Sequence, residues 1–331
     1  MKRIIAIVAG GDSSEHDVSM RSAEGIMSFI DKNKYDSYVI ELKGQTWQAL
    51  LADGSRTDVD RNDFSFATPQ GRVKPDFAYI TIHGTPGENG ILQGYFELLK
   101  VPYSTSGVLV EALTFNKFTL NNYLKSWGVK VADSVLLRKE QADAYTDDDI
   151  ISRLGLPCFV KPNDDGSSFG VSKVKTAAEL RPAITKAFGE DNEVIIESLL
   201  EGTEVTCGCY KTKTRSCVFP ITEVVTSQEF FDYDAKYNGK VDEITPARIA
   251  PQTAERVSKL TSSIYDILGC KGIIRIDYIL SGEKGNETIN MLEVNTTPGM
   301  TATSFIPQQI RAAGMTPGDV IADIIENAFA D

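Results

Sequence analysis

The chain reads as an α/β protein of more than one domain, with an open, mostly parallel sheet at its N-terminus, and three observations predict this. The first hundred residues alternate short apolar β-runs with stretches of helical spacing. From Val101 the pattern changes to helices followed by several strands in succession, as in α+β architectures. The length of 331 residues exceeds the roughly 250–300 at which a single core stops growing.

Taking the elements in order, Arg3 to Ala9 is a short buried strand broken by Gly10-Gly11. Asp17 to Ile30 has helical spacing (Val18, Met20, Ala23, Ile26, Met27, Ile30), with Ser14 as the expected cap. Strands are expected at Tyr38–Leu42 and Asp76–Ile82, and a helix at Gly90–Lys100. Ligands of such sheets gather at the carboxyl ends of strands, where both histidines lie, His16 and His83. VEALTFNKFTLNNYLKSWG reads as one helix closed by Gly128. PCFVKP and VSKV read as two strands joined by the loop NDDGSSFG, and TAAELRPAITKAF as a helix with a Thr176–Glu179 capping box. Three strands follow (EVIIESLL, EVTCGCYK, CVFPITEV). The irregular segment 226–249 comes next and is expected to be a lid, because Phe230, Phe231, Tyr233 and Tyr237 make it too aromatic for a disordered linker.

Composition narrows the function classes. A formal charge of −12 and a pI near 4.8 oppose a nucleic-acid footprint, which needs a basic face. No apolar run reaches 18 residues, and MKRIIAIVAGG is too short in its apolar part for a signal peptide, so neither a membrane span nor export is expected. Five scattered cysteines without a CxxC pair, with only two histidines, argue against zinc and for reduced thiols of a cytoplasmic protein.

The chemistry concentrates between Ile273 and Ser304. Arg275 and Asp277 lie two apart on one β-run, and Glu293 and Asn295 two apart on the next. Strand residues two apart share a face. Adjacent strands can therefore present Asp277, Glu293 and Asn295 as one oxygen cluster, which suits Mg²⁺ or Mn²⁺ when phosphate oxygens complete the shell. Between the strands PCFVKP and VSKV, the loop 163–170 offers two glycines and two serines to an anion. Lys161, on an apolar strand, needs a partner there, and a phosphate would serve. Lys117, among Leu113, Phe115 and Leu120, is a second candidate. Neither a Walker A loop nor a GxGxxG fingerprint is present.

Taken in order, GGDSSEHDVS (10–19), HGTPGENGILQG (83–94), FNK (115–117), FVKPNDDGSSFGVSKV (159–174), IIESLLEGTE (195–204), YDAKY (233–237), RID (275–277) and LEVNTTPGMTATS (292–304) resemble the D-alanine–D-alanine ligases of the ATP-grasp superfamily over nearly the whole chain. The resemblance implies a three-domain ATP-grasp fold: an N-terminal α/β domain (1–102) with the first D-alanine site, a central lobe (103–198) with the Gly/Ser loop, and a C-terminal lobe (199–331) with lid and metal site. ATP would lie between two lobes of antiparallel sheet.

Residue by residue, the resemblance implies that Lys117 and Lys161 hold ATP phosphates and that Lys236 reaches the γ-phosphate. Glu197, Ser198, Leu199 and Leu200 would form the adenine hinge, with Leu292 beside the nucleotide and Glu204 on the ribose. Ser198 departs from the family's usual lysine. Asp277, Glu293 and Asn295 would ligate two Mg²⁺ (or Mn²⁺). Arg275 and the Gly299 N–H would stabilise the oxyanion that forms when a second D-alanine attacks an acyl phosphate. Glu15, Ser167 and Tyr237 would link the first D-alanine's ammonium to the lid, and Ser304 would bind the second D-alanine's carboxylate. His83 and Glu88 border the same cavity, either structural or facing substrate. The expected partners are small molecules and a second copy of the chain in a homodimer. Two alternatives are a D-alanine–D-lactate or D-serine ligase of the same fold, disfavoured for lactate by Tyr237, and a non-catalytic nucleotide-binding relative, disfavoured by the intact Arg275 and metal ligands.

Overall fold

In the computed structural model, which describes residues 2–142, 144–164, 170–226 and 241–330, the chain opens with β1 (Arg3–Gly10), α1 (His16–Phe29) and β2 (Tyr35–Lys43). Four short strands follow, β3 (Thr46–Leu50), β4 (Arg56–Asp60), β5 (Ser65–Thr68) and β6 (Gly71–Val73), then β7 (Phe77–Ile80) and α2 (Ile91–Leu99). They form one sheet in the order β6-β5-β4-β3-β2-β1-β7. Only β1 with β2 and β1 with β7 are parallel; from β2 to β6 every pairing is antiparallel. The fold class holds, but the expectation of a mostly parallel sheet is corrected by this meander. Its strands are short, with only one or two buried residues in β3, β4 and β5 and none in β6, so they carry no continuous apolar run to read.

At the end of β1 the chain must turn between strands already packed together. Gly10 and Gly11 have φ of +94° and +99°, and a Cβ on Gly10 would stand 2.4 Å from the Leu42 carbonyl oxygen. Helix α1 starts one residue earlier than expected, with Glu15 at its N-cap and no side-chain cap, so Ser14 is not its cap. Ser19 instead anchors the helix, accepting from Gly10 N–H at 2.9 Å and donating to the Thr81 carbonyl at 2.7 Å.

The single helix expected over 110–128 is two: α3 (Val108–Phe115) and α4 (Lys117–Ser126), broken at Asn116. The carboxamide of Asn116 accepts the Thr119 N–H at 2.9 Å, a side-chain cap that restarts the helix with Lys117 at its first position. Next come β8 (Ser134–Arg138), α5 (Asp147–Leu154), β9 (Cys158–Pro162), β10 (Ser172–Val174), α6 (Ala177–Ala187) and β11 (Glu193–Ser198). These strands form an antiparallel sheet in the order β10-β9-β11-β8, and α6 opens with the expected Thr176–Glu179 capping box.

A third sheet, antiparallel throughout, is built from β12 (Thr203–Lys211), β13 (Ser216–Val218), β14 (Thr222–Thr226), β15 (Val241–Ile244), β16 (Ile273–Ser281) and β17 (Thr288–Asn295). CVFPITEV is thus two strands, interrupted at Phe219-Pro220. Part of the segment expected to be irregular is β15, paired with β14. The aromatic residues Phe230, Phe231, Tyr233 and Tyr237 lie outside the described residues. Helix α7 (Pro251–Leu268) packs on this sheet, and α8 (Phe305–Ala312) and α9 (Pro317–Asn327) return to the N-terminal sheet. One apolar core therefore joins Ile5, Ile7 and Ile26 with Tyr210, Phe219, Ile306, Ile310 and Ile321. Each such fully buried aliphatic contributes about 1.5–3 kcal/mol, enough to bind the two ends of the chain into one body.

Asn163, fully buried, fastens the start of the Gly/Ser loop to α4. Its Oδ1 accepts from Phe118 N–H at 2.9 Å, its carbonyl from Lys117 N–H at 3.2 Å, and its Nδ2 donates to Glu193 at 2.9 Å. Beside it, burial and the charges of Asp191 and Glu193 push the Asp164 carboxyl up to about 6. The folded chain thus holds that proton more tightly than the unfolded chain, whose aspartates titrate near about 3.9. The resulting stabilisation is present at low pH and lost as pH rises through about 6. Asp164→Asn keeps an oxygen acceptor for Asn116 without the charge. It should raise the midpoint of ligand-free thermal unfolding at pH 8 and change it little at pH 4; an effect independent of pH would contradict this account.

Candidate active site

The three sheets surround one large cavity of about 1220 Å³. Its floor is made where β16 lies between β12 and β17. The register sets Asp277 opposite Glu293 and Arg275 opposite Asn295, with an irregularity just after Asp277. The four side chains meet there. Arg275 donates from Nε and Nη2 to the two oxygens of Asp277 at 2.9 and 2.8 Å, and its Nη2 stands 3.9 Å from Glu293. Thr206, paired with Asp277 across the strands, donates its hydroxyl to Asp277 Oδ1 at 2.5 Å. Asp277 is only 8% exposed and would be costly to hold there without these partners.

Asn295 Nδ2 lies 3.3 Å from Asp277 and 3.4 Å from Glu293. Two carboxylates and an amide oxygen are hard donors that fit Mg²⁺ or Mn²⁺, once the carboxamide turns its oxygen inward. No group of three carboxylates, histidines or thiols with metal-binding spacing occurs among the described residues. A cation here would therefore keep positions open for non-protein oxygens.

The opposite wall comes from the second sheet. Lys161 on β9 forms an ion pair with Glu197 on β11, and Asn121 donates to the other oxygen of Glu197 at 2.8 Å. Lys161 thus has the partner its apolar strand calls for, a carboxylate of the protein in this structure: β9 and β11 are neighbours in the sheet, a pairing no local pattern reveals. Burial works to discharge Lys161, but the charge and hydrogen bond of Glu197 outweigh it and its pKa is raised. Lys117, Ser198, Leu199, Leu200, Glu204 and Leu292 also line this end of the cavity.

The N-terminal sheet closes the far end with Glu15, His83 and Glu88. Burial pushes the Glu88 carboxyl up, against the influence of His83 and the Gly84 N–H, which bonds it at 2.7 Å. His16 points elsewhere, to Glu41 at 3.3 Å, and lines a separate smaller cavity. The segment after β17 runs along α1. Met300 N–H reaches Ser22 Oγ at 3.3 Å, and Gly25 leaves room for Met300, since a Cβ there would stand 2.3 Å from its carbonyl oxygen. Ser304 caps α8 in sequence, its hydroxyl 2.7 Å from Thr301 Oγ1. A Cβ on Gly299 would stand 3.0 Å from Ser304 Oγ, so the turn passes close to that hydroxyl. The Arg275 guanidinium lies 5.3 Å from the Phe305 ring centroid.

Every expected site residue that is described lines this one cavity, whereas Ser167, Lys236 and Tyr237 lie outside the described residues. Thr206, Arg21, Lys173 and Gln308 were not anticipated. Thr206 shares the polar side of EVTCGC with Glu204, but its partner is 71 positions away and invisible locally.

A family model described as D-ala D-ala ligase N-terminus matches residues 4–106, and one described as D-ala D-ala ligase C-terminus matches 123–326. D-alanine--D-alanine ligases of Bacteroides fragilis and Phocaeicola vulgatus are each 64% identical over 330 residues, covering 99% of this chain and 100% of theirs. Among solved structures, the VanG D-Ala:D-Ser ligase of Enterococcus faecalis superposes with a TM-score of 0.87 at 30% identity, over 99% of this chain and 100% of that one. The Bacillus anthracis D-alanine--D-alanine ligase complexed with ATP superposes with a TM-score of 0.77 at 28% identity, over 99% and 97%. With both halves matched and full-length relatives at this identity, the chain belongs to the D-alanine–D-alanine ligase family.

Proposed function

We propose that this protein ligates two D-alanines into D-alanyl-D-alanine with conversion of ATP to ADP and phosphate, supplying a precursor for peptidoglycan. One observation carries the reading beyond kinship: a single cavity of about 1220 Å³ is lined at once by Glu15 and His83, by Glu197–Leu200, and by Arg275 with Asp277. The 64% identity to D-alanine--D-alanine ligases over full length favours this acceptor over the D-serine used by the VanG relative at 30%.

In this reading Lys117 and Lys161 bind the ATP phosphates, Ser198 and Leu200 border adenine beside Leu292, and Glu204 accepts from the ribose. Glu15 takes the ammonium of the first D-alanine, with His83 beside it. A carboxylate oxygen of this first D-alanine attacks the γ-phosphorus, the bond to the bridging oxygen of ADP breaks, and an acyl phosphate of D-alanine forms. Ser304 orients the second D-alanine by its carboxylate. That D-alanine's amine, having lost a proton, bonds to the acyl carbon, and the carbon–oxygen bond to phosphate then breaks. Arg275 and the Gly299 N–H stabilise the oxyanion between these events. Asp277, Glu293 and Asn295 would hold Mg²⁺ or Mn²⁺, which neutralises polyphosphate charge when bound. By resemblance alone, Lys236 serves the γ-phosphate, and Ser167 and Tyr237 link to Glu15.

The domain divisions we adopt are 1–102, 103–198 and 199–331, with 226–249 as the lid. A homodimer is part of the reading: Ile91, Leu98, Val108 and Leu109 are exposed apolar side chains on α2 and the start of α3, a face suited to a second copy. Among the described residues no helix is long and apolar enough to cross a membrane. We assign the reaction to the cytoplasm, where ATP is at hand.

Phosphate release in the presence of ATP and Mg²⁺ tests the function. D-alanine should support it, L-alanine should not, and D-lactate added to D-alanine should yield no depsipeptide. Release with L-alanine, or a depsipeptide as main product, would overturn the assignment.

Glu293→Ala should lower turnover by more than about 100-fold, beyond the usual cost of losing a group that merely supports a metal ligand. The thermal midpoint should stay nearly unchanged, because Glu293 is part-exposed and outside the core. Near-normal turnover at ordinary Mg²⁺ would remove Glu293 from the metal site.

A further inference from the structure

One side chain locks α8 onto the floor of the cavity. Gln309 is fully buried. Its Oε1 accepts from Gly208 N–H at 2.9 Å, and its Nε2 donates to the Thr206 carbonyl and to Thr222 Oγ1, both at 3.0 Å. Three bonds to two neighbouring strands leave a buried carboxamide one position and one orientation. The approach is close enough to demand glycine on the strand: a Cβ on Gly208 would stand 2.8 Å from Gln309 Oε1 and 2.5 Å from Ile306 Cδ1.

What this lock joins is the reacting machinery. On one side, Thr206, whose carbonyl Gln309 holds, gives its hydroxyl to Asp277 at 2.5 Å. On the other, α8 carries Ser304 at its N-cap and Phe305 against the Arg275 guanidinium. An apolar side chain in the same place could fill the volume but would let the helix slide or turn on the sheet. Buried polar networks of this kind are high in consequence because each unpaired member is costly.

We propose that Gln309 is a positioning residue for the acceptor half-reaction: it sets Ser304 and Arg275 against Asp277, so that the second D-alanine's amine meets the acyl carbon of the acyl phosphate. The inference rests on the ligase reading above. It adds a residue that touches neither substrate, on the buried face of a helix whose exposed end does.

The test is steady-state kinetics of Gln309→Met, with the two D-alanine constants separated by the curvature of rate against D-alanine concentration. The acceptor KM should rise about tenfold or more, as expected when buried polar groups lose their partner, and kcat should fall with it. The KM values for ATP and for the first D-alanine should stay within about twofold. Thr222→Val, which removes one of the three bonds, should show the same split at smaller size, and it carries the test should Gln309→Met not fold. A lowered melting midpoint with all kinetic constants unchanged, or an equal rise in all three KM values, would overturn the proposal. Wild-type protein that releases no phosphate with D-alanine would instead overturn the ligase reading.

Discussion

A carboxylate set into a buried sheet needs partners, and the partners of Asp277 organise this molecule. Arg275 two residues earlier, Thr206 on the strand to one side and Asn295 on the strand to the other all point at it. The order β12-β16-β17 is what allows this, because it flanks Asp277 with a hydroxyl and an amide while leaving the cavity side open. Around this cluster the cavity is strongly acidic: ten carboxylates and five Lys or Arg side chains line it among the described residues. A polyphosphate entering such a place meets more repulsion than attraction from these described side chains alone. In the function proposed above, a divalent cation between them would reconcile the acidic lining with a bound polyphosphate.

The second organising feature is that the chain ends where it began. Helices α8 and α9 pack on the N-terminal sheet in the same core as β1 and α1. The turn at 298–304, which follows directly from the strand carrying Glu293 and Asn295, is pressed against Ser22 and Gly25 of α1. Glu111 on α3 receives the hydroxyl of Thr296, next to Asn295. The cavity is therefore built from parts of different sheets, and these contacts tie the strand bearing Glu293 and Asn295 to helices α1 and α3.

Much of this was legible in the residues. The alternation of Ile274, Ile276, Leu292 and Val294 with Arg275, Asp277, Glu293 and Asn295 marks a strand pair with one polar face, because period two is a local property. Capping of α6 was legible for the same reason. The meander β3–β6 was not: its strands are three to five residues long, too short to show a hydrophobic period. The break at Asn116 hid inside an apolar stretch that continues across it. The Lys161–Glu197 pair and the Gln309 bonds escaped because they depend on which strands become neighbours, a long-range fact without a local signature.

The central claim is that a metal ion, held by Asp277, Glu293 and Asn295, makes the acidic cavity receptive to ATP. Calorimetric titration of the ligand-free protein with a non-hydrolysable ATP analogue, in Mg²⁺ and in chelator, tests it most directly. The account predicts binding at least about tenfold weaker without the cation, a difference of about 1.4 kcal/mol or more. Equal affinity in the two conditions would contradict it.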